Sequence, residues 1–186
     1  MKKLAVILAM LMVCALCFTA CGDDGEVVPD GMKRISDPAL VGYYLYVPET
    51  WVSELNSGVV SAYHSLTDAS SIVANQWNLP EGVATVDDWW AQYVPVFENT
   101  FNTFALESDE ECYLGGVKAH KYVYTAKLPA SDAENKDENG LALFRFMQVA
   151  TIRRGMVYVI TYTSLADTFE ANLADVQMIL DNFKFE

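Results

Sequence analysis

The sequence predicts an α+β domain in which helices cover an antiparallel sheet, and three observations carry that prediction. Segments rich in valine, isoleucine, tyrosine and threonine recur between turn signals, as strands do. Gly115-Gly116 and Arg153-Arg154-Gly155 each join two such segments at hairpin spacing. Two other segments change to helical period, one in mid-chain and one near the end. The resulting order is strands, helix, strands, helix, which separates the helices from the strands in sequence and favours antiparallel pairing.

The elements follow in turn. Leu40 to Val47 is rich in tyrosine and valine and stops at Pro48, a strand entering a turn. Val59 to Leu66 and Ser71 to Leu79 are the next strands, separated by the polar tetrad Thr67-Asp68-Ala69-Ser70. After Pro80-Glu81-Gly82, Thr85 opens a helix with Asp88 three residues on, an acidic capping box. Val86, Trp90, Tyr93, Phe97, Phe101 and Phe104 make its apolar stripe, and Pro95 predicts a kink or a break within it. Ala105 to Leu114 pairs with Val117 to Leu128, and Leu141 to Ile152 with Met156 to Thr163. Asp167 to Asn182 carries Phe169, Leu173, Val176 and Leu180 at helical spacing, and Phe183-Lys184-Phe185 alternates as a short last strand.

Ahead of this domain the chain carries an address. Lys2 and Lys3 precede an uncharged apolar run, Leu4 to Leu16, shorter than the roughly 20 residues of a membrane span. Phe18-Thr19-Ala20-Cys21 then matches the bacterial lipobox, with Phe18 where leucine is usual. Residues 1–20 are therefore read as a lipoprotein signal peptide, with Cys21 as the lipid-attachment site. A diacylglycerol on Cys21 supplies two acyl chains, enough for stable anchoring at about 0.8 kcal/mol per buried methylene. Cys14 and Cys17 leave with the signal, so their C-x-x-C spacing marks neither metal nor redox chemistry. Residues 21–38 read as an acidic flexible tether, with Asp23, Asp24 and Glu26 among glycines and prolines. Residues 39–186 make the single α+β domain.

Charge narrows the partners. The processed chain loses Lys2 and Lys3 from its 12 basic residues and keeps all 25 acidic ones, a net charge of −15. Such a field repels phosphate backbones, which excludes nucleic acid, and it disfavours lying flat on anionic lipid. Cys112 is the one thiol beyond the anchor and reads as a small buried hydrophobe rather than a nucleophile.

Three groups of residues bear on chemistry. His64 and His120 are the only candidates for a base near neutral pH, and Ser65 with His120 and an aspartate makes a triad only on paper. Both histidines fall within predicted strands, where an activating turn is missing. Asp132, Glu134, Asp137 and Glu138 cluster in the segment from Pro129 to Gly140, but Lys136 stands where an EF-hand needs its third ligand. Asp109-Glu110-Glu111 reads as a charged segment protecting a sheet edge, and Asp87-Asp88 as helix-terminal electrostatics. Trp89 is turned by its neighbour Trp90 toward the helix flank; it reads as one ring on the shoulder of a large aromatic core, with sugar or cation recognition beside the acids as the alternative. No catalytic, cofactor-binding or metal-ligating residue is assigned.

Several short patterns together resemble a known family. Tyr44 to Trp51 is an aromatic strand followed by Pro48-x-x-Trp51; Gly116 to Tyr122 reads G-x-x-A-x-x-Y; and Gly155 to Tyr162 leads into a helix ending Asn182-Phe183-Lys184-Phe185. In these features the chain is similar to the PsbP fold family, known from an extrinsic subunit of photosystem II and a nuclear-transport factor that binds the Ran GTPase. The resemblance implies a curved antiparallel sheet flanked by helices. It also implies a docking or assembly module without enzymatic activity or cofactor, and it supplies no catalytic residue. The expected protein is thus a bacterial, lipid-anchored, extracytoplasmic module that docks to an envelope protein. It sits on the outer face of the cytoplasmic membrane or in the periplasm. The alternatives are a small-molecule or cation-binding surface lipoprotein, and an envelope hydrolase using His64 or His120.

Overall fold

A computed structural model describes residues 26–56, 59–101, 103–130 and 136–186. The folded unit runs from Gly31 to Glu186. Among the described residues the strands are β1 (Met32–Arg34), β2 (Tyr43–Tyr44), β3 (Tyr46–Pro48), β4 (Val52–Asn56), β5 (Val59–Tyr63), β6 (Ser71–Asn78), β7 (Ala105–Leu114), β8 (Val117–Pro129), β9 (Leu141–Arg153), β10 (Met156–Leu165) and β11 (Lys184–Phe185). The helices are α1 (Pro38–Val41), α2 (Val86–Thr100) and α3 (Leu173–Asp181), the last entered through a 3-10 turn, Phe169–Asn172.

Seven strands form one antiparallel sheet in the order β4-β5-β6-β10-β9-β8-β7. Side chains alternate across it, so each long strand serves two layers. Val157 and Val159 of β10 pack under α2 together with Tyr122, Tyr124, Phe146 and Ala150. Tyr158, Ile160 and Tyr162 point the other way, where Tyr158 meets Tyr43 and Phe185 and Tyr162 meets Phe169. That second layer contains the ribbons β1–β3 and β2–β11 and the helix α3. The Trp51 indole donates to the Asp175 carboxylate at 2.9 Å and pins α3 to the turn after β3.

The helix α2 forms where the spacing predicts it. Its box is complete: the Thr85 hydroxyl accepts from the Asp88 amide, and Asp88 accepts from the Thr85 amide. Pro95 does not break it. The ring lies on the exposed side, so the missing donor leaves a solvent-facing carbonyl, while Trp90 and Phe97 hold the other side to the sheet. Gly115 turns the β7–β8 hairpin at φ +54°, and a Cβ there would stand 2.9 Å from the Phe185 ring.

Four expectations need correction. The tether read over residues 21–38 ends earlier, because Met32 to Arg34 pair with Tyr46 to Pro48 and Met32 and Ser36 are buried. Ser36 secures the segment by donating to the Tyr43 carbonyl and accepting from the Leu45 amide. Its prolines and glycine therefore punctuate structure instead of preventing it. The single strand expected over Leu40 to Val47 is divided into α1, β2 and β3, with Asp37 capping the helix and Gly42 ending it in the left-handed region. An extra strand, β4, follows Trp51 as the outer strand beside β5. Trp89 is buried, not on a shoulder, because its ring packs against Trp90 and Tyr93 of the stripe and widens it. A sugar or cation site built on Trp89 is thereby ruled out.

Candidate functional site

The histidines are far apart and differently employed. His64 lies just beyond β5 instead of within it; its amide donates to the Ser70 carbonyl and its Nδ1 is 3.0 Å from Asp68 Oδ2. Burial opposes the Asp68 charge, but the Ser70 amide and hydroxyl and then His64 outweigh it and hold the carboxyl below its usual range. With its ring edge-on to Trp51, His64 completes a tight turn. Ser65 bonds with Thr67 and lies by β5, four strand steps from His120 on β8, about 19 Å at ordinary strand spacing. The paper triad of Ser65 and His120 does not assemble.

His120 occupies a richer setting. It faces the α2 side of the sheet, because Tyr122 two residues on stacks under Trp90. Cross-strand register then places Asp109 opposite Tyr122, Glu111 opposite His120, and Tyr113 opposite Lys118, all on that face. The start of α2 delivers Asp87 to the same place. The His120 Nδ1 is 2.9 Å from Asp109 Oδ1 and 3.3 Å from Asp87 Oδ1, and its Nε2 is 4.0 Å from Glu111 Oε1. Since carboxylates only accept, the Nδ1 proton is assigned to the imidazole. The ring is 15% exposed, whereas Asp87, Asp109 and Glu111 are 69%, 47% and 66% exposed. A mostly shielded imidazole is thus rimmed by wet carboxylates.

The rim is partly compensated. Glu111 pairs with Lys118, which holds the carboxyl below and the ammonium above their usual ranges. On the opposite face Glu110 pairs with Lys121 at 2.9 Å. Behind the rim the Tyr122 hydroxyl is fully buried and has no partner in hydrogen-bonding geometry. Burial, followed by the Asp109 and Asp87 charges, pushes its ionisation well above the ordinary phenol range. Beside the cluster opens a cleft of about 240 Å³, between Ala84 to Asp87 on one side and Lys118, His120 and Ile152 on the other. A second cleft of about 350 Å³ lies at the far end of α2, among Phe101, Leu128 and Pro129.

The remaining sequence candidates are structural or lie outside view. Asp137 accepts from the Asn139 and Leu141 amides and from Lys127 at 2.9 Å. Lys127 and those amides hold its carboxyl below the usual range and close the turn before β9. Its proposed companions Asp132 and Glu134 fall outside the described residues, as do Cys21, Asp23 and Asp24. Among the described residues no three His, Cys, Asp or Glu side chains are placed to hold a metal ion. Cys112 is half-buried, and burial raises its thiol above the usual range, away from nucleophile character. No described helix is long and apolar enough to cross a membrane.

Sequence reasoning passed over the joint setting of His120, Asp87 and Tyr113. The alternation Asp109-x-Glu111-x-Tyr113 was the available signal, since period two places all three on one face. The approach of Asp87 depends on packing of α2 and left no mark in sequence.

The fold is PsbP-like: a seven-stranded antiparallel sheet with helices on an α+β plan. It is similar to the solution structure of cyanobacterial PsbP, CyanoP, from Synechocystis sp. PCC 6803, at 14% identity over 90% of this chain and 98% of that one, TM-score 0.57. The Ran-binding protein Mog1p of Saccharomyces cerevisiae matches at 10% identity over 83% and 95% of the two chains, TM-score 0.57. LpqN of Mycobacterium tuberculosis, a protein involved in cell envelope biogenesis, matches at 16% identity over 76% and 82%, TM-score 0.51. No family model matches the sequence, and no curated protein matches it.

Proposed function

We propose that this protein is a lipid-anchored extracytoplasmic docking module that binds an envelope protein without catalysing a reaction. The observation that carries the reading is the carboxylate-rimmed β7–β8 face, polar and exposed along its outer strand, with Tyr113 standing 75% exposed beside it. The lipobox ending at Cys21 supports the anchor, and the acidic residues after it keep the domain off anionic lipid. The fold supports a binding role by analogy, since one similar structure is a Ran-binding protein and another takes part in envelope biogenesis. The chemistry of the site agrees: the imidazole of His120 is engaged by carboxylates, and the Ser65 hydroxyl is remote from it.

The test is a crosslinking pulldown of the lipidated protein from its own membranes, with Cys21→Ala as the control. One envelope protein recovered stoichiometrically, and lost from the control, is the expected result. An empty pulldown overturns stable docking and favours the small-ligand reading, for which the cleft beside His120 is the available volume.

A further inference from the structure

Resting on that docking reading, we infer that the β7–β8 face recognises arginine side chains of its protein partner, held between the Asp109–Glu111–Asp87 rim and the Tyr113 ring. Four features meet there. Asp109, Glu111 and Tyr113 share the α2 face of the outer strand, at successive cross-strand positions. Asp87 reaches the same point from the start of α2, so the rim has carboxylates on two sides of His120. Among the described residues Lys118 offsets it, through Glu111, and the rim stays net negative within a strongly acidic protein. Behind it the Tyr122 hydroxyl is completely buried, makes no hydrogen bond of good geometry, and lies against the Asp87 and Asp109 carboxylates, with Asp87 close enough to interact with it.

These groups select by chemistry. An N-terminal helix end favours anions, but the first turn of α2 already carries the Asp87 and Asp88 carboxylates, and Thr85 takes the Asp88 amide. The exposed carboxylates therefore dominate the face. A planar guanidinium offers five donors to acceptor-only carboxylates, and it stacks on an exposed tyrosine where an ammonium makes only a point contact. Apolar walls at Val86 and Ile152 suit the aliphatic stem of the same side chain.

The test is a calorimetric titration of the full-length protein, in neutral detergent at low salt, with a hexa-arginine peptide and with hexa-lysine. Saturable binding that favours arginine is expected. It should weaken about tenfold in Asp109→Asn/Glu111→Gln, the scale of one charge-assisted bond. Tyr113→Ala should erase the arginine preference while sparing hexa-lysine. Glu98→Gln/Asp181→Asn removes the same charge elsewhere and should change little. Equal weakening in both double variants would mean a general polyanion effect and would overturn the inference. So would an absence of saturable binding, or hexa-lysine binding as tightly as hexa-arginine. Thermal melts of each variant separate lost binding from lost folding. Failure here leaves the pulldown from native membranes standing, so the two readings fall separately.

Discussion

The Trp90 indole lies flat on the Tyr122 ring, with centroids 3.9 Å apart and planes within 6°. This contact joins α2 to β8 and does two things at once. It closes the aromatic core, continued through Tyr124, Phe97 and Phe146. It also fixes the strand whose next outward residue on that face is His120. Trp90→Ala should therefore destabilise the domain by about 3–5 kcal/mol, the usual range for a buried tryptophan. Chemical denaturation checks this, and a loss near zero would show that α2 contributes little to the folded unit.

The start of α2 is a separate contribution. Thr85→Ala removes the hydroxyl that accepts from the Asp88 amide, and should lower stability by about 1 kcal/mol. The same variant loosens the segment that carries Asp87, so the imidazole resonances of His120 should shift in NMR spectra. A stability change without that shift would separate the cap from the site.

Acid should destabilise the protein in a defined direction. Asp88 is held below the usual aspartate range by the Thr85 hydroxyl and the Ala84 and Thr85 amides, and Asp137 by Lys127 and its turn amides. A carboxylate whose folded pKa is depressed stabilises the fold at pH above its unfolded value, near about 3.9, and loses that contribution as pH falls through the folded value. Melting temperature should stay level from neutrality to about pH 5 and then fall as acid is added. Asp88→Asn should make the fall shallower. A protein that gains stability below pH 4 would contradict these assignments.

At the other end of the chain, Cys21→Ala should abolish metabolic labelling with palmitate and move the protein from the membrane to the soluble fraction. Labelling that persists in this variant would place the anchor elsewhere.

How much of this was legible beforehand depended on whether the signal was local. The capping box at Thr85 and Asp88, the Gly115-Gly116 hairpin and the stripe through Trp90 and Phe97 are fixed by neighbours in sequence, and all were readable. Residues 31–38 were misread because Pro29, Gly31 and Pro38 resemble a linker, while their order comes from pairing with β3, sixteen residues on from Met32 to Pro48. Pro95 was overrated as a breaker because its cost falls on the exposed side, with the sheet holding the other side. The candidate face shows the same division. Period two along β7 placed Asp109, Glu111 and Tyr113 together, whereas the meeting of Asp87 with His120 is tertiary and had no spacing to announce it.

If the protein docks through the β7–β8 face, site-specific photocrosslinking in native membranes should trap the partner there. A benzoylphenylalanine placed at Tyr113 is compared with one at Leu40, equally exposed on α1. One adduct of defined mass is expected from position 113, weakened by high salt and missing from position 40. The same adducts from both positions, or none from position 113, would contradict it.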